Sequence, residues 1–158
     1  MRTLSERKPA PRLRQPPADA LKPLEGPWIS DGHVYFSDYG PEATWSSREQ
    51  GEWLWGKRFL LHQWRAVLDG KPFEGMTVFG HSAQRGYFAT LYDNAGNTAF
   101  YRVEIAGRVW VLAGERQRAV YRYSAAGDAI DIHWDWRNAE GLWSPLCDRR
   151  AVRVPLMV

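Results

Sequence analysis

The stretch "IDIHWDW", residues 130–136, alternates without a break. Ile130, Ile132, Trp134 and Trp136 fall on one side of an extended chain, and Asp131, His133 and Asp135 on the other, because strand side chains project to opposite faces with a period of two. A helix would scatter both sets around its axis, so the segment reads as a strand with its apolar row inward and its His/Asp row toward solvent. One histidine between two aspartates also has the composition of a metal or acid-base site. Same-face neighbours on a strand stand ~7 Å apart, whereas a divalent ion needs several donor atoms within ~2.0 to 2.6 Å. The expectation at His133 is an exposed charge ladder and no metal.

The same pattern recurs along the chain. Runs rich in aromatic and β-branched residues include "WISDGHVYF" (28–36), "EATWSSREQGEW" (42–53), "RFLLHQWRAVL" (58–68), "FEGMTVFGHS" (73–82) and "GYFATLYD" (86–93). They continue with "TAFYRVEI" (98–105), "RVWVLAGE" (108–115), "RAVYRYSA" (118–125), "AIDIHWDWRN" (129–138) and "WSPLCDRRAVRV" (143–154). The connectors "LDGKP", "DNAGN", "IAGR", "AAGD" and "NAEG" all carry glycine, as hairpin turns with positive φ require. Helical spacing is nearly absent; "ADALKPLEG" could make one short turn, limited by Pro23. Hairpin-linked strands in such number must close or stack, because one open sheet would leave an apolar face in water. The expected fold is all-β, a single closed antiparallel barrel of about 8–10 strands.

A chain of 158 residues with 44% hydrophobic content is enough for one core. The lone Cys147 forms no internal bridge and gives no sign of an oxidising compartment. The opening "MRTLSERKPAPRLRQPP" is charged, lacks an apolar core, and so resembles neither a secretory signal nor an anchor; no long apolar run follows. A cytoplasmic protein with no membrane partner is expected. The formal charge of +3 divides unevenly. Residues 1–24 carry Arg2, Arg7, Lys8, Arg12, Arg14 and Lys22 against Glu6 and Asp19, leaving −1 for the rest. Residues 1–20 are therefore read as a basic Pro-rich tail and 21–158 as the barrel domain, with no nucleic acid expected as a partner of the barrel.

Several segments, "LKPLEGPWISDG", "LWGKRFLLHQW", "GHSAQRGYFATLYDNAGN", "RVWVLAGERQR" and "GLWSP", together resemble bacterial lipocalin-like barrels of unknown function, which open with a leucine-rich turn and Gly-x-Trp. The resemblance covers about residues 21–154 and implies a calycin-type barrel with an internal cavity, similar to fatty-acid-binding proteins and nitrobindins. Nitrobindins hold haem through a histidine on the last strand. Here that strand reads "PLCDRRAVRV", without histidine, and Cys147 alone is weak ground for iron ligation, so no cofactor is expected.

Parity then nominates pocket residues. The chain carries nine tryptophans, seven tyrosines and six phenylalanines, and buried Trp and Tyr must also find partners for their polar atoms. His62 and Trp64 are assigned inward because Gln63 and Arg65 favour water; Tyr101 turns inward opposite Arg102 and Glu104; Tyr121 and Tyr123 oppose Val120 and Arg122. Thr77, Phe79 and His81 share one side. The candidate ligand-binding set is His62, Trp64, Phe79, Tyr101, Tyr121 and Trp134, apolar walls with a few polar groups as small-molecule sites have. Gly-x-Ser-x-Gly, phosphate-loop, His-Glu-x-x-His and Cys-x-x-Cys motifs are absent. The expected function is binding of a small hydrophobic or amphipathic molecule inside the barrel. The alternatives are an isomerase- or cyclase-type enzyme using His62 or a buried tyrosine as acid-base, and a ligand-free interaction module. Met76 and Val78, opposite Phe73 and Phe79, leave room for a homodimer face.

Overall fold

The structure, a computed structural model, describes residues 18–155. The basic tail read from the sequence therefore lies, up to residue 17, outside the described residues. The strands are β1 (Gly26–Val34), β2 (Ala43–Trp53), β3 (Phe59–Leu68), β4 (Lys71–Ser82), β5 (Gly86–Asp93), β6 (Thr98–Ala106), β7 (Val109–Ala113), β8 (Gln117–Tyr123), β9 (Ala129–Arg137) and β10 (Trp143–Arg153). Each pairs antiparallel with its neighbours in sequence, and β1 also pairs with β10 from Trp28↔Arg153 to Val34↔Cys147, so the sheet closes as expected. Strand limits fall within a few residues of the sequence reading. β1 stops at Val34 rather than 36 because Ser37 and Gly40 exchange backbone hydrogen bonds and turn the chain. Between β3 and β4, Asp69 (φ 49°) and Gly70 (φ 79°) are both left-handed, the geometry of a two-residue type I′ turn.

Alternation fills the interior. β2 buries Trp45, Ser47, Glu49 and Gly51 and exposes the residues between them, and β9 buries Ile130, Ile132 and Trp136 as read. Most of the tryptophans face in, but Trp55 does not: at the tip of the β2–β3 turn it is 103% exposed, so the aromatic content is not all core.

One end of the barrel is closed. The short turn read at "ADALKPLEG" is a 3-10 helix, Ala18–Leu24, with Pro23 inside it. Leu21 and Leu24 join the core with Trp28, Leu60, Phe79 and Trp110, and Trp28 Nε1 donates to the Leu24 carbonyl at 3.1 Å. Each leucine contributes about 1.5 to 3 kcal/mol of apolar burial, enough to hold a segment too short to be helical alone. The approach depends on Gly51, where a Cβ would collide with the Leu24 carbonyl oxygen. At the opposite end lie the β1–β2, β3–β4, β5–β6, β7–β8 and β9–β10 connections, with Phe36, Tyr39 and Leu142 exposed among them. We call this end the mouth. On the outer wall, Met76 and Val78 are half-buried beside an aromatic row in which Phe88 lies 6.4 Å from Phe59 and 6.2 Å from Phe100.

Candidate functional site

Across the barrel interior runs a belt of polar side chains where the first and last strands meet. Parity turns Ser30 of β1, Ser47 and Glu49 of β2, His62 of β3 and Arg149 of β10 into the lumen. Glu49 is the hub. One carboxylate oxygen accepts from Ser47 Oγ at 2.8 Å and from Arg149 Nη1; the other bonds His62 Nε2 at 2.7 Å. Arg149 Nη1 also donates to Ser30 Oγ at 3.0 Å, and its guanidinium lies 5.0 Å from the Trp45 ring centroid. Trp45 Nε1 in turn donates to Ser47 Oγ at 2.9 Å.

The charges of the belt cancel. The Glu49 and Arg149 side chains are 1% and 6% exposed, so desolvation is severe. Burial pushes the Glu49 carboxyl upward, but the Arg149 guanidinium and then His62 outweigh it and hold it down at about 2. Burial works against the Arg149 cation too, and Glu49 again overcomes it, raising Arg149 above its ordinary value. An ionised Glu49 fixes the hydrogen of His62 on Nε2, so a neutral ring keeps its lone pair on Nδ1. Burial drives Tyr121 up to about 12 despite its hydrogen bond with Arg149, and drives Tyr101 and Tyr123 higher still. These phenols are donors at neutral pH. Cys147, pushed up to about 11 chiefly by burial, is a protonated thiol at neutral pH.

Solvent reaches inward side chains at both ends of the lumen. Near the closed end Leu60, Trp110 and Ile130 are sealed, whereas Trp53, Tyr87 and Ile105 at the same end are only partly buried. Toward the mouth, Phe73, Leu91, Ala99 and Trp134 also face inward yet remain partly exposed, Trp134 although it lies three residues from the end of β9. Trp45, Trp64 and Cys147 pack behind them. Within this half, Trp64 Nε1 and Trp136 Nε1 are buried with no hydrogen-bond partner; Tyr123 Oη, near the closed end, is the third such atom among the described residues.

All six sequence-nominated residues face the lumen, but they do not form one patch. His62 belongs to the belt, and Trp64 stands beside it with ring centroids 6.3 Å apart. Tyr101 and Tyr121 meet Trp134 edge-on at 5.5 and 6.4 Å. Phe79 packs on Trp110 at 5.8 Å near the closed end, away from the mouth. Sequence reasoning assigned no face to β2 or β10 and so missed Glu49, Arg149, Ser30, Ser47 and Trp45. The available signal was "TWSSREQG", in which an inward Trp45 forces Ser47 and Glu49 inward with it.

The His/Asp row of residues 131–135 lies on the outer wall. His133 bonds Asp148 through Nδ1 at 2.6 Å and Asp135 through Nε2 at 2.7 Å, while Asp131 pairs instead with Arg150. Tyr35 donates to Asp148 and Arg118 to Asp135, extending the ladder. Burial lowers the affinity of His133 for its proton, but the two carboxylates outweigh it and raise the ring above its ordinary value. A depression of about 610 Å³ on this wall is lined by Arg122, Asp131, His133, Asp148 and Arg150 among others. It is shallow, and Asp131 with Arg150 and His133 with Asp148 are already paired on it, so the lumen is the stronger candidate. No group of three or more His, Cys, Asp or Glu among the described residues is placed to hold a metal ion, and no helix among them is long and apolar enough to cross a membrane.

No protein-family model matches the chain, and no curated protein matches it in sequence. Among solved structures the fold is similar to that of Rv2717c from M. tuberculosis, with a TM-score of 0.67 and 17% identity over 89% of this chain and 99% of that one. It is also similar to the S-type phycobiliprotein lyase CPES from Guillardia theta, with a TM-score of 0.56 and 13% identity over 86% of this chain and 91% of that one. At these identities the likeness is one of fold.

Proposed function

We propose that the chain is a lipocalin-like, calycin-type barrel that binds a small hydrophobic or amphipathic molecule in the half of its lumen next to the mouth, between Trp64 and the Tyr101, Tyr121 and Trp134 rings. The observation that carries this reading is Trp134, which faces inward, three residues from the mouth end of β9, and is still reached by solvent beside the buried Tyr101 and Tyr121 rings. An inward ring left in contact with water gives up burial energy that a bound apolar molecule would recover. Exposed Phe36, Tyr39 and Leu142 add apolar surface around the entrance, where a water-poor ligand would first land. The fold-level neighbours agree with such a role, since one of them is a phycobiliprotein lyase. Native mass spectrometry of the purified protein, with tryptophan fluorescence titration against a panel of aromatic and aliphatic compounds, tests the reading. A released small molecule or saturable quenching is expected; a bare protein mass together with no quenching by any compound overturns it.

The Glu49–His62 pair favours a second reading, a proton-transfer enzyme on the same scaffold. A buried carboxylate that fixes Nε2–H and leaves a basic Nδ1 is the orientation a histidine general base needs. The tyrosines, held protonated by burial, would serve as donors instead of bases. A ligand incubated with the protein in D2O would then exchange carbon-bound hydrogen, and His62→Gln would abolish the exchange. Recovery of the ligand with no deuterium on carbon refutes this second reading.

A further inference from the structure

Resting on the binding reading above, we infer that the ligand is an uncharged, planar molecule bearing hydrogen-bond acceptors such as carbonyl, ether or ring nitrogen, and that the site rejects carboxylates. Two observations carry this. The first is the pair of orphaned donors in the mouth half, Trp64 Nε1 and Trp136 Nε1. An indole N–H donates and never accepts, so its missing partner must be an acceptor. A buried donor without a partner is costly, and a ligand oxygen placed against it recovers that loss on binding. A pure hydrocarbon would leave both donors as they are.

The second observation is the state of Arg149. A guanidinium inside a barrel is the natural receiver of a ligand carboxylate. Here it is already engaged by Glu49 and Ser30 and lies against Trp45. Glu49 and Arg149 balance one another in the lumen, and Glu49 also holds His62 and Ser47. An entering carboxylate would meet a second buried anion and find no free cation, at a cost that rises in a low-dielectric interior. Planarity is favoured by the aromatic walls, where Tyr101 and Tyr121 pack edge-on against Trp134; a flat ring system meets such rings stacked or edge to face at little entropic cost.

The test compares methyl 2-naphthoate, 2-naphthoate and 2-ethylnaphthalene, which share one ring system and differ in acceptor and charge. Binding is read by tryptophan quenching and by calorimetry on the full chain. The ester is expected to bind at least ~10-fold more tightly than the carboxylate and ~5-fold more tightly than the hydrocarbon, as one recovered hydrogen bond allows. At least one of Trp64→Phe and Trp136→Phe should weaken the ester ~5-fold and leave the hydrocarbon unchanged, which a merely structural role would not do. Glu49→Gln, by releasing the charge of Arg149, should improve binding of the carboxylate selectively; should that variant fail to fold, the two tryptophan variants decide alone. Carboxylate binding as tight as the ester, or equal affinity for ester and hydrocarbon, overturns the inference and leaves the carrier reading standing. Failure of all three compounds, with a bare mass in native spectrometry, overturns both.

Discussion

Replacing Arg149 by methionine should do more than weaken the fold: it should reverse how stability depends on pH. In the intact protein Glu49 is held at about 2 against an ordinary 4.5. A group whose pKa is depressed on folding contributes stability that is complete above the unfolded value and is lost as pH falls through the folded one. The window is therefore from about 4.5 down to about 2, and at about 1.4 kcal/mol per pH unit the fall corresponds to about 3 kcal/mol. Arg149 is the largest of the influences that lower Glu49, and burial, the largest influence of all, works upward. Without the guanidinium the folded pKa rises above the unfolded one, so the Arg149→Met protein should be most stable in mild acid and should lose stability as pH rises. At neutral pH the cost of an uncompensated buried carboxylate is about 3 to 5 kcal/mol. Urea unfolding followed by tryptophan fluorescence at pH 3, 5 and 7 gives both numbers. A variant whose stability falls with acid just as the parent's does would show that the belt is not electrostatically coupled.

Other consequences are simpler to check. Gly51→Ala drives a methyl group into the Leu24 carbonyl oxygen and should displace the 3-10 helix, costing about 1 to 3 kcal/mol and lowering the Tm; an unchanged Tm would mean that the helix does not close the barrel as described. Tyr123→Phe removes a buried hydroxyl that has no partner, so it should be neutral or slightly stabilising, and a loss above about 1.5 kcal/mol in chemical denaturation would reveal a bond to that oxygen. NMR titration should place the imidazole of His133 above an ordinary histidine, because Asp148 and Asp135 outweigh its partial burial. Its contribution to stability is then present below the unfolded pKa and lost as pH rises through the folded one, and Asp148→Asn should bring the titration down.

The fold was legible because most strands separate their faces cleanly. In β6, Tyr101 and Val103 alternate with Arg102 and Glu104, and a charged row has one comfortable side, so parity reads directly. The glycine-bearing connectors then set the hairpins. β2 and β10 resisted because each is polar on both faces. Arg48 and Glu49 look equally fit to face outward unless an inward Trp45 is taken to fix the parity, and the partner of Glu49, Arg149, lies 100 positions away, where no local pattern points to it. β10 adds a second obstacle, a register shift between Pro145 and Cys147 that resets the alternation and decides that Arg149 turns in while Arg150 turns out to Asp131. The inward orientation of the aromatic rings was visible from parity; the ionic belt was not, since the rule that charges lie outside fails where two charges neutralise each other inside.

The position of that belt gives it a structural reason that is independent of any ligand. Nine of the ten strand pairings form between neighbours in sequence and cost little loop entropy, but the tenth, β1 with β10, joins segments more than a hundred residues apart and has no turn to set its register. A slip of one residue would turn the whole inward row of β10 outward. Apolar residues alone would tolerate such a slip poorly; the belt tolerates it worse, since Arg149 would leave Glu49 in the lumen without its cation and Ser30 without its donor. The ionic contacts thus lie where closure most needs a unique register, and by consuming their own charges they leave the adjoining half of the lumen with neutral donors, among them the unpartnered Trp64 and Trp136 indoles. The same seam that fixes the barrel also determines what chemistry the rest of the lumen has left to offer.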